Sequence, residues 1–119
     1  MNYLDTYALF EIGRDNPDYD SIANSEFKIC DITLAEFYGV LLLEGRKNEA
    51  DYFLQKLQTR SESTPLFLLI EAVQFRYGKK SLNFSFPDAV GYVHARSNGG
   101  TFVTGDKSFK KLAHVKYVK

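Results

Sequence analysis

Apolar positions along the chain recur in two periods, and the changes between them predict an alternation of strands and helices. Leu34, Phe37, Tyr38, Leu41 and Leu42 are three and four residues apart, which places them on one face of a helix over Thr33 to Glu44, with Gly45 to end it. Ala50, Phe53, Leu54 and Leu57 repeat the spacing over Asn48 to Leu57, with Asn48 as the cap. A third such face, Leu66, Leu69, Ile70 and Val73, runs through Pro65 to Tyr77 and stops at Gly78. Phe86, Ala89, Val90 and Val93 mark a fourth helix, Phe86 to about Asn98.

Short apolar runs between these segments read as strands: Asn2 to Leu4, Phe27 to Ile32 with one acid inside it, Thr101 to Thr104, and Val115 to Val118. Smaller helical pieces complete the map. They are Thr6 to Ile12 with Gly13 as a left-handed stop, a turn over Pro17 to Ala23 capped by Asn16, and Lys107 to Leu112. Strands separated by amphipathic helices predict an α/β fold with a mainly parallel central sheet and helices on both faces. No linker, repeat or low-complexity stretch divides the chain, so residues 1–119 read as one domain.

Composition narrows the class. A hydrophobic content of 45% and a charged content of 25% are those of an ordinary globular protein. The single cysteine, Cys30, sits among Phe27, Ile29 and Ile32 and reads as a buried structural thiol, which fits a reducing compartment. No apolar stretch approaches the roughly 20 residues of a membrane helix, and Asp5 interrupts any signal-peptide core, so a cytoplasmic protein without membrane attachment is expected. Formal net charge is zero, yet residues 1–75 carry 6 Lys and Arg against 13 Asp and Glu, and residues 76–119 carry 9 against 2. The two acids of that basic third, Asp88 and Asp106, therefore stand out from solvating charge.

Both of them open helices, and two further acids share the situation. Asp5 follows the first strand, and Glu36 lies in the first turn after the second. Each acid alone has an ordinary explanation. Thr33-x-x-Glu36 and Ser85-x-x-Asp88 match a capping box, and Asp5 and Asp106 suit N-caps worth about 1 kcal/mol each. Together they would meet at the carboxyl edge of a parallel sheet, where such folds bind ligands. Four converging carboxylates repel, and a hard divalent ion such as Mg²⁺ or Mn²⁺ relieves that repulsion while keeping positions open for phosphate oxygens. Acid-only sites of this kind suit phosphodiester hydrolysis.

Other chemistries fit less well. Position 7 is Tyr where a phosphoaspartate enzyme would need a second acid, and position 73 is Val where a phosphate-binding loop ending at Gly78-Lys79 would need Gly. His94 and His114 lack partners at zinc spacing and read as helix-surface or loop residues.

Four segments, YLDT at 3–6, ITLAEFYGVL at 32–41, FSFPDAVGYVHA at 84–95 and FVTGDKSF at 102–109, resemble in order and spacing the signatures of PIN-domain nucleases, specifically the small VapC-type toxins of toxin–antitoxin pairs. That resemblance implies an acidic metal site of Asp5, Glu36, Asp88 and Asp106. It also implies that Thr6 orients the first carboxylate, and that Thr104 steadies a neighbouring acid or the attacking water. Ser108 stands where some relatives carry a further acid, which leaves open whether one ion or two are held. An RNA substrate, a cognate antitoxin and a homodimer are implied as well. Two alternatives keep the fold: a catalytically silent module binding RNA or protein, and an RNA-processing nuclease with no antitoxin.

Overall fold

Five strands, all parallel, form one sheet in the order β3-β2-β1-β4-β5. The computed structural model describes residues 1–119. Its strands are β1 (Asn2–Leu4), β2 (Phe27–Cys30), β3 (Ser61–Glu62), β4 (Thr101–Thr104) and β5 (Val115–Tyr117). Six helices connect them: α1 (Thr6–Gly13), α2 (Asp20–Ala23), α3 (Asp31–Leu43), α4 (Lys47–Leu57), α5 (Leu66–Gly78) and α6 (Phe86–Ser97). The mainly parallel sheet expected from the periodicity is thus parallel throughout.

Strand residues alternate between two cores, as a period of two requires. Leu4, Ile29 and Val103 join Ala8, Leu9, Phe37, Leu41 and Ala50 under α1, α3 and α4. Tyr3, Cys30 and Phe102 join Leu68, Ala72, Val90 and Val93 under α5 and α6. Helices therefore cover both faces. The sheet order reverses at β1, whose neighbours are β2 on one side and β4 on the other. The crevice at the carboxyl ends of β1 and β4 is the switch point where open α/β sheets bind ligands.

Several local expectations are corrected. The strand expected to reach Ile32 stops at Cys30, because Asp31 begins α3 and turns its carboxylate back to accept from the Ile32 N–H at 2.8 Å. Asn48 does not cap α4, which starts one residue earlier with Arg46 in the cap position and no side-chain hydrogen bond there. Gly13 stays helical, and the left-handed residue after α1 is Asp15. Only Lys107–Phe109 of the expected Lys107 to Leu112 helix forms, as a single tight turn.

The face of α5 also differs from its sequence reading. Leu68 and Ala72 are the buried positions, whereas Leu66, Ile70 and Val73 are 71%, 51% and 51% exposed. The helix lies along α6, whose own surface takes up Leu68 and Ala72. β3 has no apolar pattern at all. It is held by two residue pairs with β2, Ile29 with Ser61 and Cys30 with Glu62. His94, expected at a surface, is 2% exposed, because α6 is buried along nearly its whole length. Its imidazole meets Glu62 at 3.0 Å and the Thr64 hydroxyl at 3.3 Å. Cys30 is buried as expected, and burial pushes its thiol pKa up, away from reactivity.

Candidate active site

The four acids reach the crevice by different local means. Asp5 ends β1 in extended conformation and caps α1, its Oδ1 accepting from the Ala8 N–H at 2.8 Å. Its own N–H donates to the Val103 carbonyl at 3.1 Å, so the residue is tied to both central strands. Asp106 follows β4 and caps the next turn, accepting from the Ser108 N–H at 2.9 Å. Asp88 lies in the first turn of α6, where its N–H donates to the Ser85 hydroxyl at 3.2 Å. Only this half of the expected Ser85 capping box is made by the cap residue. Glu36 lies well inside α3, beyond the first turn, because that helix starts at Asp31. The capping box with Thr33 is accordingly absent, and Thr33 is buried in the helix.

Two threonines organise the cluster. Thr104 is fully buried and donates from Oγ1 to Asp5 Oδ2 at 2.5 Å, while the same oxygen accepts from the Asp106 N–H at 3.0 Å. One hydroxyl therefore links the ends of β1 and β4. Thr6 donates to Glu36, not to Asp5 as the resemblance implies, and so ties α1 to α3 across the crevice. Phe84 and Phe109 stack at 4.2 Å between ring centroids. That stack joins the segment leading into Asp88 to the turn that follows Asp106.

Asp5, Thr6, Glu36, Asp88 and Asp106 line a single open cleft of about 520 Å³, together with Tyr7, Val40, Gly105 and Lys107. Thr104 is buried behind Asp5 and does not itself line the cleft. Sequence reasoning missed Tyr7 and Val40 as cleft residues, although Tyr7 sits two residues after Asp5. Val40 is found four residues beyond Glu36, on the same face of α3. Among the cations of the basic third, residues 76–119, Arg76 donates to the Phe84 carbonyl at 2.8 Å, and Arg96 faces Glu71 at 3.6 Å. Lys107 is the one cation that lines the cleft.

The acids act on one another electrostatically. Burial raises the Asp5 carboxyl to about 7; hydrogen bonds from Thr104 and Ala8 oppose this, and repulsion from Asp88 and Asp106 adds to it. Burial likewise raises Asp88 to about 6, with Ser85 opposing and Glu36 and Asp106 adding repulsion. As the side chains stand, no three acids converge on one point at ligating range. Both Asp5 oxygens accept hydrogen bonds, and Glu36 accepts one from Thr6. The donor set is nonetheless hard oxygen throughout, which matches what Mg²⁺ or Mn²⁺ prefers.

A family model for the PIN domain matches residues 3–115. The chain belongs to the PIN domain family. Several solved structures share its fold along nearly the whole length. The VapC20 toxin of Mycobacterium tuberculosis, described as cleaving the sarcin-ricin loop, superposes with a TM-score of 0.79 at 18% identity, covering 100% of both chains. FitAcB from Neisseria gonorrhoeae gives 0.76 at 20% identity, over 99% of this chain and 97% of that one. A toxin–antitoxin complex from Klebsiella pneumoniae gives 0.75 at 17%, over 98% and 96%. No curated protein sequence gives a significant match. PIN domains are nucleases, enzymes that hydrolyse phosphodiester bonds.

Proposed function

We propose that this PIN domain is a divalent-metal-dependent endoribonuclease and the toxin of a VapC-type toxin–antitoxin pair, acting as a homodimer in the cytoplasm. The observation that carries the reading is the meeting of Asp5, Glu36, Asp88 and Asp106 in one cleft at the sheet's switch point. The toxin-pair part of the reading draws on the fold shared with VapC20 and with toxin–antitoxin complexes. That no helix is long and apolar enough to cross a membrane is consistent with the location.

The four carboxylates would hold Mg²⁺ or Mn²⁺, and such an ion, when bound, supplies a more acidic water and charge stabilisation at the leaving oxygen. The chain's own residues prepare the place. Thr104 fixes the rotamer of Asp5 by donating to Oδ2, and the Asp106 N–H fixes the direction of that hydroxyl in turn. Thr6 holds Glu36 against the start of α1. Asp5 and Asp88, whose protons are retained to about 7 and about 6, are the acids whose ionisation a cation would favour most. Lys107 at the rim offers a positive charge to an entering phosphate.

Cleavage of single-stranded RNA with Mn²⁺, with chelator, and by the Asp5→Asn and Asp106→Asn variants tests this. Cleavage should need the ion and fall by at least about 100-fold in either variant, an effect of the size seen when one stabilising group is removed from a site of this kind. Unchanged cleavage in both variants would remove these acids from the mechanism. The silent-module alternative instead gives no cleavage in any form.

A further inference from the structure

Eight tyrosines are distributed over the chain, and half of them are anchored through their hydroxyls. Tyr3 donates to Glu62, Tyr19 to the Val118 carbonyl, Tyr38 to Asp51 and Tyr92 to the Ala113 carbonyl. Tyr7 differs in place and in setting. It is the second residue of α1, directly after Asp5 and Thr6, and it is the tyrosine that lines the acidic cleft. Its side chain is 36% exposed.

One side of the Tyr7 ring is already covered, by backbone. A Cβ placed on Gly105 would lie 2.1 Å from the ring's Cε1 and 2.5 Å from Cδ1 and Cζ, so the ring rests directly on the glycine that separates Thr104 from Asp106. Any side chain at 105 would push it off. The ring is thus seated on the β4 turn while still forming part of the cleft wall. Beside it on the edge strand, Tyr117 pairs with Thr104 in the ladder and carries the Lys110 ammonium 5.1 Å from its ring centroid.

An aromatic ring backed on one side, open on the other and fixed next to a set of phosphodiester-cleaving acids has the form of a base-stacking platform. We propose that Tyr7 stacks on a nucleobase of single-stranded RNA next to the bond being cut, an inference that rests on the nuclease reading of the cleft. A π face accepts any base, so Tyr7 would contribute affinity and place the strand without reading its sequence.

The test uses an oligouridylate and an abasic ribose–phosphate oligomer of the same length, both fluorescein-labelled, with binding followed by anisotropy in Mn²⁺. The Asp106→Asn background keeps the RNA intact. Tyr7→Leu should weaken binding of oligouridylate by roughly 5- to 100-fold, the fold-change expected for one lost base stack. Its affinity for the abasic oligomer should be unchanged, and Tyr7→Phe should match the parent on both. Gly105→Ala, which keeps the tyrosine but removes its seat, should behave as Tyr7→Leu. Equal binding of the two oligomers by the parent, or equal losses on both in Tyr7→Leu, would overturn the platform. The two-oligomer comparison on the parent holds even where a variant fails to fold. Mn²⁺-dependent cleavage by the unsubstituted chain is scored separately, so failure of the nuclease reading is distinguishable from failure of the Tyr7 assignment.

Discussion

Asp5 concentrates the conflict between folding and chemistry in this molecule. It caps α1, accepts from Thr104 and is almost wholly buried, and those three conditions do not agree on its charge. Desolvation prevails, and the carboxyl holds its proton to about 7. The sign of the linkage follows. Between the ordinary carboxylate pKa near 4 and about 7, the folded chain binds a proton that the unfolded chain has released, so stability falls as pH rises through that window. In the presence of chelator, the melting temperature should therefore decrease from pH 5, above the range where the lowered carboxyls of Asp31 and Glu62 act in the opposite sense, to pH 7, beyond which this group adds no further change. Asp5→Asn, which can still cap α1, should flatten that slope and be the more stable form at pH 7.5, by roughly a few kcal/mol at most. A melting temperature that rises steadily over the same range would contradict the assignment. Asp88, raised to about 6, adds to the slope in the same direction.

At the level of elements, what could be read from sequence depended on whether an element's neighbours were implied by its own pattern. β1, β4, α3 and α6 were legible, because strand runs and three- and four-residue spacings are local properties, and the acids at their ends came with them. β3 was not legible, since two polar residues become a strand only by pairing with β2. His94 was misread for a related reason. Its burial comes from α5 and the sheet closing over α6, and its partners Glu62 and Thr64 lie about thirty residues away. Glu36 was found for a partly mistaken reason, as an acid in the first turn of a helix that in fact starts earlier, at Asp31. The departure at α5 has a consequence for assembly. Leu66, Phe67, Ile70, Val73 and Tyr77 are each at least half exposed and follow one helical face, an apolar stripe of the kind that marks an interface. The proposed homodimer should use this stripe, facing its own copy across a two-fold axis. Light scattering should then give twice the 13.6 kDa chain mass, and Ile70→Lys with Val73→Lys should return the monomer. A dimer unaffected by both substitutions would put the interface elsewhere.

For the molecule as a whole, topology brings together what the sequence keeps apart. Asp5 and Asp106 are separated by about a hundred residues, yet they follow adjacent parallel strands and share the Thr104 hydroxyl. Asp88 and Glu36 are added by helices from opposite faces of the sheet, so the cleft exists only when both layers are in place. The Phe84–Phe109 stack and the close approach of α6 to β4 at Gly91, where a Cβ would lie 3.0 Å from the Phe102 ring, hold that layer in position. The central claim is that these four carboxylates form one cation-binding set and are not four independent caps. Thermal melting at pH 8 with increasing Mn²⁺, set against the same chain in chelator, measures this most directly. The account predicts a midpoint that rises with the logarithm of free Mn²⁺, equivalent to about 2.7 kcal/mol at a hundred times the dissociation constant, and a much smaller rise in Asp88→Asn. Identical midpoints with Mn²⁺ and with chelator would contradict it.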